Sequence, residues 1–518
     1  MTVIVDVVVS ALVALGVTGV AYRLRASADL NLADEGYLWY GLLRTREGLV
    51  PQRDFRSYEP GRYWWLRATT ALSGPGLRGL RLGVHAFYAI GLTCGLVALG
   101  LTDHSWPTVV VVAVLLGAWA HPQHKLFEPG LTLMLVLAGT GIAVQPEVAT
   151  CLLGGAAVGV TAVFAVNFTL YGGAALAAVT VLATWRDADG LQAAPLLAFV
   201  AGGLAGVVPL LILFAGCRGL FATWWHWRIE VPFRHGPVPT TLPLPTPLPW
   251  RPAPLQLRGY RPVTRATVRA LFFVVPAGLV AVVIWAVIDP AVVDDRPVTV
   301  VAALLGLPAL HHAWGRSDVP HLAQVMAPAI VVATTVAAGE VLIQGSLTAL
   351  AALATAAVVV PAHPRYQRHR RPDLFDIRRV GDDPVWMTRR SAHLVDAARS
   401  AVCGSSDGEP VLAVPMLAGL LPIVGRTSAV YDTFCVYPAS VEEQAAMISS
   451  LEETVPTVAV VRNGIVDDRD DLRFSRTHPR VWCWLQENYV ERSFAGLHPD
   501  DHVLVRCGRS EGPQRPAT

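Results

Sequence analysis

Residues 31–65, "NLADEGYLWYGLLRTREGLVPQRDFRSYEPGRYWW", follow closely on the apolar run "VIVDVVVSALVALGVTGVAY" at 3–22. Twenty residues at about 1.5 Å each reach across a hydrocarbon core of ~30 Å. The stretch after it holds Asp34, Glu35, Asp54, Glu59 and five arginines. A membrane segment therefore hands over to a polar, aromatic loop. No positively charged region precedes the run and no small-residue cleavage site follows it, so it reads as an uncleaved anchor.

Composition extends that reading to the whole chain. Of 518 residues, 53% are hydrophobic and only 15% charged, and the mean hydropathy is +0.46. So little charge on so long a chain excludes an ordinary soluble protein. The formal charge of +2 and the absence of any Lys/Arg block give no footprint for nucleic acid. Apolar runs near 3–22, 78–101, 106–120, 128–145, 147–166, 168–185, 194–217, 269–289, 298–312, 322–343 and 346–361 predict about eleven spans in a mostly α, polytopic helical membrane protein.

Two regions fall outside these runs. Between the seventh and eighth, "TWWHWRIEVPFRHG" (223–236) predicts an interfacial helix, since Trp and Arg favour the headgroup region. "LPLPTPLPWRPAP" (242–254) predicts extended polyproline-like chain. From 362 onward the composition turns charged. Helices are predicted at 391–402, after the Ser440/Glu443 capping box, and in "VWCWLQENYV"; strands are predicted in "PVLAVPML", "TVAVV" and "HVLVRC". The expected division is thus a membrane domain, 1–361, and a small α/β domain, 362–518. Cys403, Cys435, Cys483 and Cys507 lie in the latter, where disulfides and unpaired thiols are both open readings.

Four segments, in this order, carry a resemblance: the 31–60 loop, "GCRGLFATWWHWRIEVPFRHGPVPTTLPLP", "HHAWGRSDVPHLAQVMAPAI", and the tail from "EPVLAVPMLAGLLPIVGR" to "WLQENYVERSF". Together they resemble the GT-C superfamily of integral membrane glycosyltransferases, near its lipid A and protein-mannosyltransferase-like branch. The resemblance implies a plasma (inner) membrane enzyme whose first loop and C-terminal domain lie outside the cytoplasm. It also implies a polyprenyl-phosphate sugar as donor, a cell-envelope glycan, lipid or protein as acceptor, and inversion by single displacement. The family's essential acid falls on Asp34, beside Glu35.

The residue types suit that chemistry. A carboxylate is needed to deprotonate the acceptor hydroxyl and cations to meet the leaving phosphate. Asp34 is the candidate base; with Glu35 it equally reads as the start of a helix. Asp54, Tyr58 and Glu59 are candidates for the acceptor groove, or for a solvated turn before Pro60. In "GRSDVPH", Arg316 is a candidate phosphate clamp, with Asp318 and His321 beside it. In "HPQHKLFEPG", Lys125, the chain's only lysine, and Glu128 are candidates for donor contact. His121, His124 and Glu128 leave a divalent cation open, although no metal ligand set is assigned. His226 and Arg228 sit in an aromatic belt that could meet a lipid phosphate. The competing classes are a transporter and a non-catalytic envelope scaffold. Against the first stand the charges at segment ends and the absence of an internal repeat.

Overall fold

The computed structural model describes residues 2–102, 104–186, 192–236, 240–246 and 254–507. Residues 247–253 of the predicted polyproline stretch lie outside these. The chain divides into two compact units: one of residues 1–26, 81–218 and 241–367, the other of 27–80, 219–240 and 368–518.

The first unit is helical. Among the described residues, eight helices are long and apolar enough to cross a membrane: Ile4–Arg25, Leu77–Gly100, Gln123–Val144, Val166–Trp185, Ala193–Gly216, Pro262–Ile288, Pro297–Gly315 and Val341–Ala362. Three of the predicted spans form shorter apolar helices, Trp106–Ala118, Val148–Thr161 and Val319–Thr335. At 13, 14 and 17 residues they reach about 20, 21 and 26 Å. Where lipid offers no hydrophobic drive between helices, small residues let backbones approach and gain dispersion contact. Val148–Thr161 and Ala193–Gly216 do this: a Cβ on Gly155 would stand 2.0 Å from the Phe199 carbonyl oxygen, and one on Gly202 would stand 2.0 Å from that of Leu152. Gly159 and Gly206 repeat the contact one turn on.

The second unit is α/β. Strands β1 (Phe375–Val380) and β2 (Asp383–Thr388) form a hairpin that the sequence pattern did not reveal. Four further strands, β3 (Leu412–Val414), β4 (Val458–Arg462), β5 (Tyr489–Glu491) and β6 (Asp501–Arg506), form a sheet in the order β3-β4-β6-β5. β3 runs parallel to β4, and the other pairs are antiparallel. The helix Val441–Thr454 opens on the predicted box, Ser440 and Glu443 each accepting the other's backbone N–H. Leu412, Val414, Leu451, Val461, Phe474 and Leu485 close the core. All seven cysteines are free in this structure.

The 27–80 loop is part of this unit rather than an appendage. Its helix Asp34–Arg46 crosses Gly419 so closely that a Cβ on Gly36 would lie 2.3 Å from the Gly419 Cα. Gly419 N donates to Leu32 O at 2.9 Å, and Ser428 N to the Tyr40 hydroxyl at 3.0 Å. Arg56 N donates to Tyr431 O, and the Tyr431 hydroxyl to Gln52 O at 2.7 Å. A division of the chain by composition does not anticipate this interleaving.

Candidate functional site

Asp34 is the first residue of its helix, and Ala33, not Asp34, occupies the capping position. The helix start is instead closed by Asn31, whose Oδ1 accepts the N–H groups of Ala33 and Asp34 at 2.9 and 3.1 Å. That leaves the Asp34 carboxylate to point elsewhere. Its Oδ1 accepts the Tyr58 hydroxyl at 3.4 Å, and Asn31 Nδ2 stands 3.5 Å from Oδ2. The group is half-buried, so it keeps access to solvent while two side chains fix its direction. Glu35, beside it, is buried.

Tyr58 is held in turn. Its ring meets Tyr37 edge-on with centroids 5.1 Å apart, and the Arg62 guanidinium lies 4.9 Å from its centre. Glu59 follows it at the start of the helix Pro60–Ser73, buried, with Arg228 Nη2 2.9 Å from its Oε1. Arg228 thereby ties the 219–240 segment to the first loop. Its residues 220–235 are helical, as predicted for 223–236, but their centre, His226–Glu230, is a π turn. Such a turn widens the helix and re-aims its side chains. His226 uses both ring nitrogens, Nδ1 3.0 Å from Glu230 and Nε2 3.2 Å from Glu443.

Asp54 is not brought to Asp34. Its carboxylate accepts both Arg53 Nε and Nη2 at 2.8 Å and the Val50 N–H at 2.7 Å. These bonds, Arg53 foremost, hold it below the usual carboxylate range and spend it on its own turn.

Arg56 and Asp432, which the sequence did not single out, form the centre of the unit. Arg56 Nη1 lies 2.5 Å from Asp432 Oδ2 and donates to Phe434 O at 2.8 Å. Its guanidinium covers the Trp227 ring at 3.8 Å, a cation–π contact that is strong when shielded from water. The signal available in sequence was one arginine among aromatics in "RDFRSYEPG"; its partner lies 376 residues on. Beside this pair opens a cavity of about 260 Å³ whose lining includes Trp227, Tyr431, Tyr437, Glu443, Met447 and His478. Burial lowers His478 to about 4, so it is neutral near pH 7.

The remaining sequence candidates lie in the first unit. Asp318 caps the helix Val319–Thr335, its Oδ1 accepting the His321 N–H at 2.9 Å and standing 2.7 Å from His321 Nδ1. Arg316 Nε donates to its Oδ2 at 2.8 Å. Burial opposes the Asp318 charge, but His321 and Arg316 outweigh it and keep the carboxyl below its ordinary value. Lys125 lies within electrostatic reach of His321. Glu128 is buried in the first turn of Phe127–Val144. His121, His124 and Glu128 do not converge as metal ligands; among the described residues no three His, Cys, Asp or Glu side chains do.

No family model matches the chain, and no curated protein does. Among solved structures it is similar to the Archaeoglobus fulgidus oligosaccharyltransferase crystallised with a tethered acceptor peptide containing the NVT sequon. Identity is 11% and the TM-score 0.45, over 98% of this chain and 74% of the other. So distant a likeness leaves activity to be argued from this chain's own residues.

Proposed function

We propose that the protein is a membrane glycosyltransferase that moves a sugar from a polyprenyl-phosphate donor to a cell-envelope acceptor on the extracytoplasmic face, with Asp34 as general base. The observation that carries this reading is the placement of Asp34. It lies nine residues past the first membrane helix, with only Asp29 between them among carboxylates; it is relieved of capping by Asn31, aimed by Tyr58 and half-exposed. The resemblance of the loop sequences supports the same role.

In this reading the Asp34 carboxylate takes the proton of an acceptor hydroxyl as that oxygen bonds to the anomeric carbon. The bond from that carbon to the donor phosphate breaks, and polyprenyl phosphate departs with the negative charge. Tyr58 meets one carboxylate oxygen and Asn31 Nδ2 lies 3.5 Å from the other, and the acceptor hydroxyl approaches from the side open to solvent. The buried Glu59–Arg228 pair fixes the backbone just after Tyr58. Glu35 supports the start of the helix. Arg316, with Asp318 and His321, and Lys125, with Glu128, are the groups assigned to the donor, and His226 is given to holding the 219–240 segment. Asp54 has no part.

Asp34→Asn preserves the size of the side chain and removes its basicity. Sugar transfer from a polyprenyl-phosphate donor by the purified variant should fall by about 10²-fold or more with the melting temperature unchanged. Near-normal turnover would remove Asp34 from the chemistry.

A further inference from the structure

Among the described residues, the first unit contains a buried arginine paired with no carboxylate. Arg25 ends the first membrane helix and is 5% exposed. Its Nη2 reaches only the Ala118 carbonyl, at 3.4 Å, and its buried Nη1 has no hydrogen-bond partner. A guanidinium does not give up its proton in a protein. A buried charge persists only where something compensates it.

The surroundings are also basic. Arg81, fully buried, spends Nη1 on the carbonyls of Arg25 and Ala26 at 3.2 and 3.0 Å. His85 is 3% exposed, with Nδ1 2.8 Å from Arg81 O and Nε2 without a partner. His363 accepts the Arg365 N–H on Nδ1 at 3.2 Å, so its neutral ring carries the proton on Nε2, which is buried and unpartnered. The charge of Arg25 acts on His85, His121 and His363 alike. Desolvation first, and then that charge, pulls His121 well below its ordinary value and His363 to about 4. Asp318 also acts on His121 but is engaged by Arg316 and His321.

We infer that Arg25, His85 and His363 form a binding site for a phosphate-class anion, and that its ordinary occupant is the phosphate of a membrane lipid. Three chain segments bring these donors together: Arg81 links His85 to the Arg25 carbonyl, and Arg365, two residues after His363, donates to the Arg23 carbonyl at 2.9 Å. A tetrahedral phosphate accepts from several directions at once, as Arg25 Nη1 and the His363 Nε2–H require. His85 Nε2 completes the set by taking a proton beside the anion. The inference stands apart from the role proposed for Asp34, because it concerns binding and not transfer.

The test uses the full chain purified in a neutral detergent, with four additions: inorganic phosphate, phosphatidylglycerol, a polyprenyl monophosphate, and diacylglycerol as a phosphate-free lipid. Bound ligand is counted by native mass spectrometry, and the melting temperature is read in parallel. The wild type should retain a phosphate-bearing lipid and melt higher with it than with diacylglycerol. Arg25→Met, of similar length and uncharged, should weaken that binding by about tenfold or more and lose the shift. Whichever of the two lipids gives the larger shift identifies the source. A response to inorganic phosphate alone keeps the anion site and overturns the lipid as its occupant. Should Arg25→Met fail to accumulate, His363→Gln, at a half-buried position, must weaken binding in the same assay. Equal lipid retention by wild type and the variant tested, or an Arg25→Met that melts higher under every condition, would overturn the site.

Discussion

At the scale of single residues, carboxylates that hold structure differ from the one proposed as base. Asp501 belongs to the first kind. Its side chain is fully buried in β6, accepting Arg390 at 3.0 and 3.1 Å and Arg462 at 2.6 and 3.3 Å. Burial raises its pKa, but the two guanidiniums outweigh burial and the net shift is downward. A carboxyl with a depressed folded-state pKa contributes stability that is present above the unfolded value of about 3.9 and lost as pH falls through the folded one. The wild type should therefore lose melting temperature below about pH 4 along a step that Asp501→Asn lacks. At pH 7 the variant should be less stable by about 1–3 kcal/mol, between the ranges for exposed and fully buried pairs because both arginines are partly exposed. Identical pH profiles for the two proteins would show that the triad adds nothing. Asp34 is the proposed base, singled out in the sequence by its place in the first loop and by the family resemblance. Its release from capping depends on Asn31, three residues upstream. The reading as a helix start holds as well: Asp34 opens the helix, where its charge favours the dipole although Ala33 takes the capping position.

At the scale of elements, apolar run length was legible because hydrophobic burial is additive along the chain; each of the eleven runs became a helix. Length within the run was not, since Pro and Gly near the ends and packing decide where hydrogen bonding stops. The β1–β2 hairpin was missed because "FDIRRVGDDPVWMT" carries charge on both faces and Gly381, at φ 60°, supplies a turn whose neighbours are not apolar. The π turn at His226–Glu230 has no sequence signature at all. Glycine spacing, by contrast, was present in the sequence and had a consequence that went unread: Gly155 with Gly159 and Gly202 with Gly206 recur at four residues. A Val at 202 would drive its Cβ into the Leu152 carbonyl, a backbone atom that cannot swing aside. Gly202→Val should lower the melting temperature of the detergent-purified chain by several degrees, while Gly203→Val, whose Cβ meets no atom nearer than 3.9 Å, should leave it close to the wild type. Equal effects at the two positions would mean that close backbone approach is not what holds this helix pair.

At the scale of the whole molecule, the consequential fact is that residues 27–80 and 368–518 share one compact unit. The contacts that make it so, Gly36 on Gly419 and Arg56 on Asp432, join positions hundreds of residues apart, so no local pattern announces them. They bear on orientation. Charge in the short loops does not choose a side, but a loop and a domain that fold as one body must occupy the same side of the membrane, and the proposed chemistry requires that side to be extracytoplasmic. Cys403 and Cys483 are exposed and unpaired, natural probes on the C-terminal segment, and Asn31→Cys places a third on the exposed start of the Asp34 loop. In intact cells a membrane-impermeant maleimide should label all three positions, with Cys403→Ser/Cys483→Ser as the background in which Asn31→Cys is read. Labelling of all three only after permeabilisation would place the unit in the cytoplasm and reject a lipid-linked donor on the outer face. Labelling of Asn31→Cys on one side and the native cysteines on the other would contradict the shared unit itself. The two failures are distinct, because the first leaves the fold intact and removes only the proposed reaction, whereas the second breaks the contacts that aim Asp34.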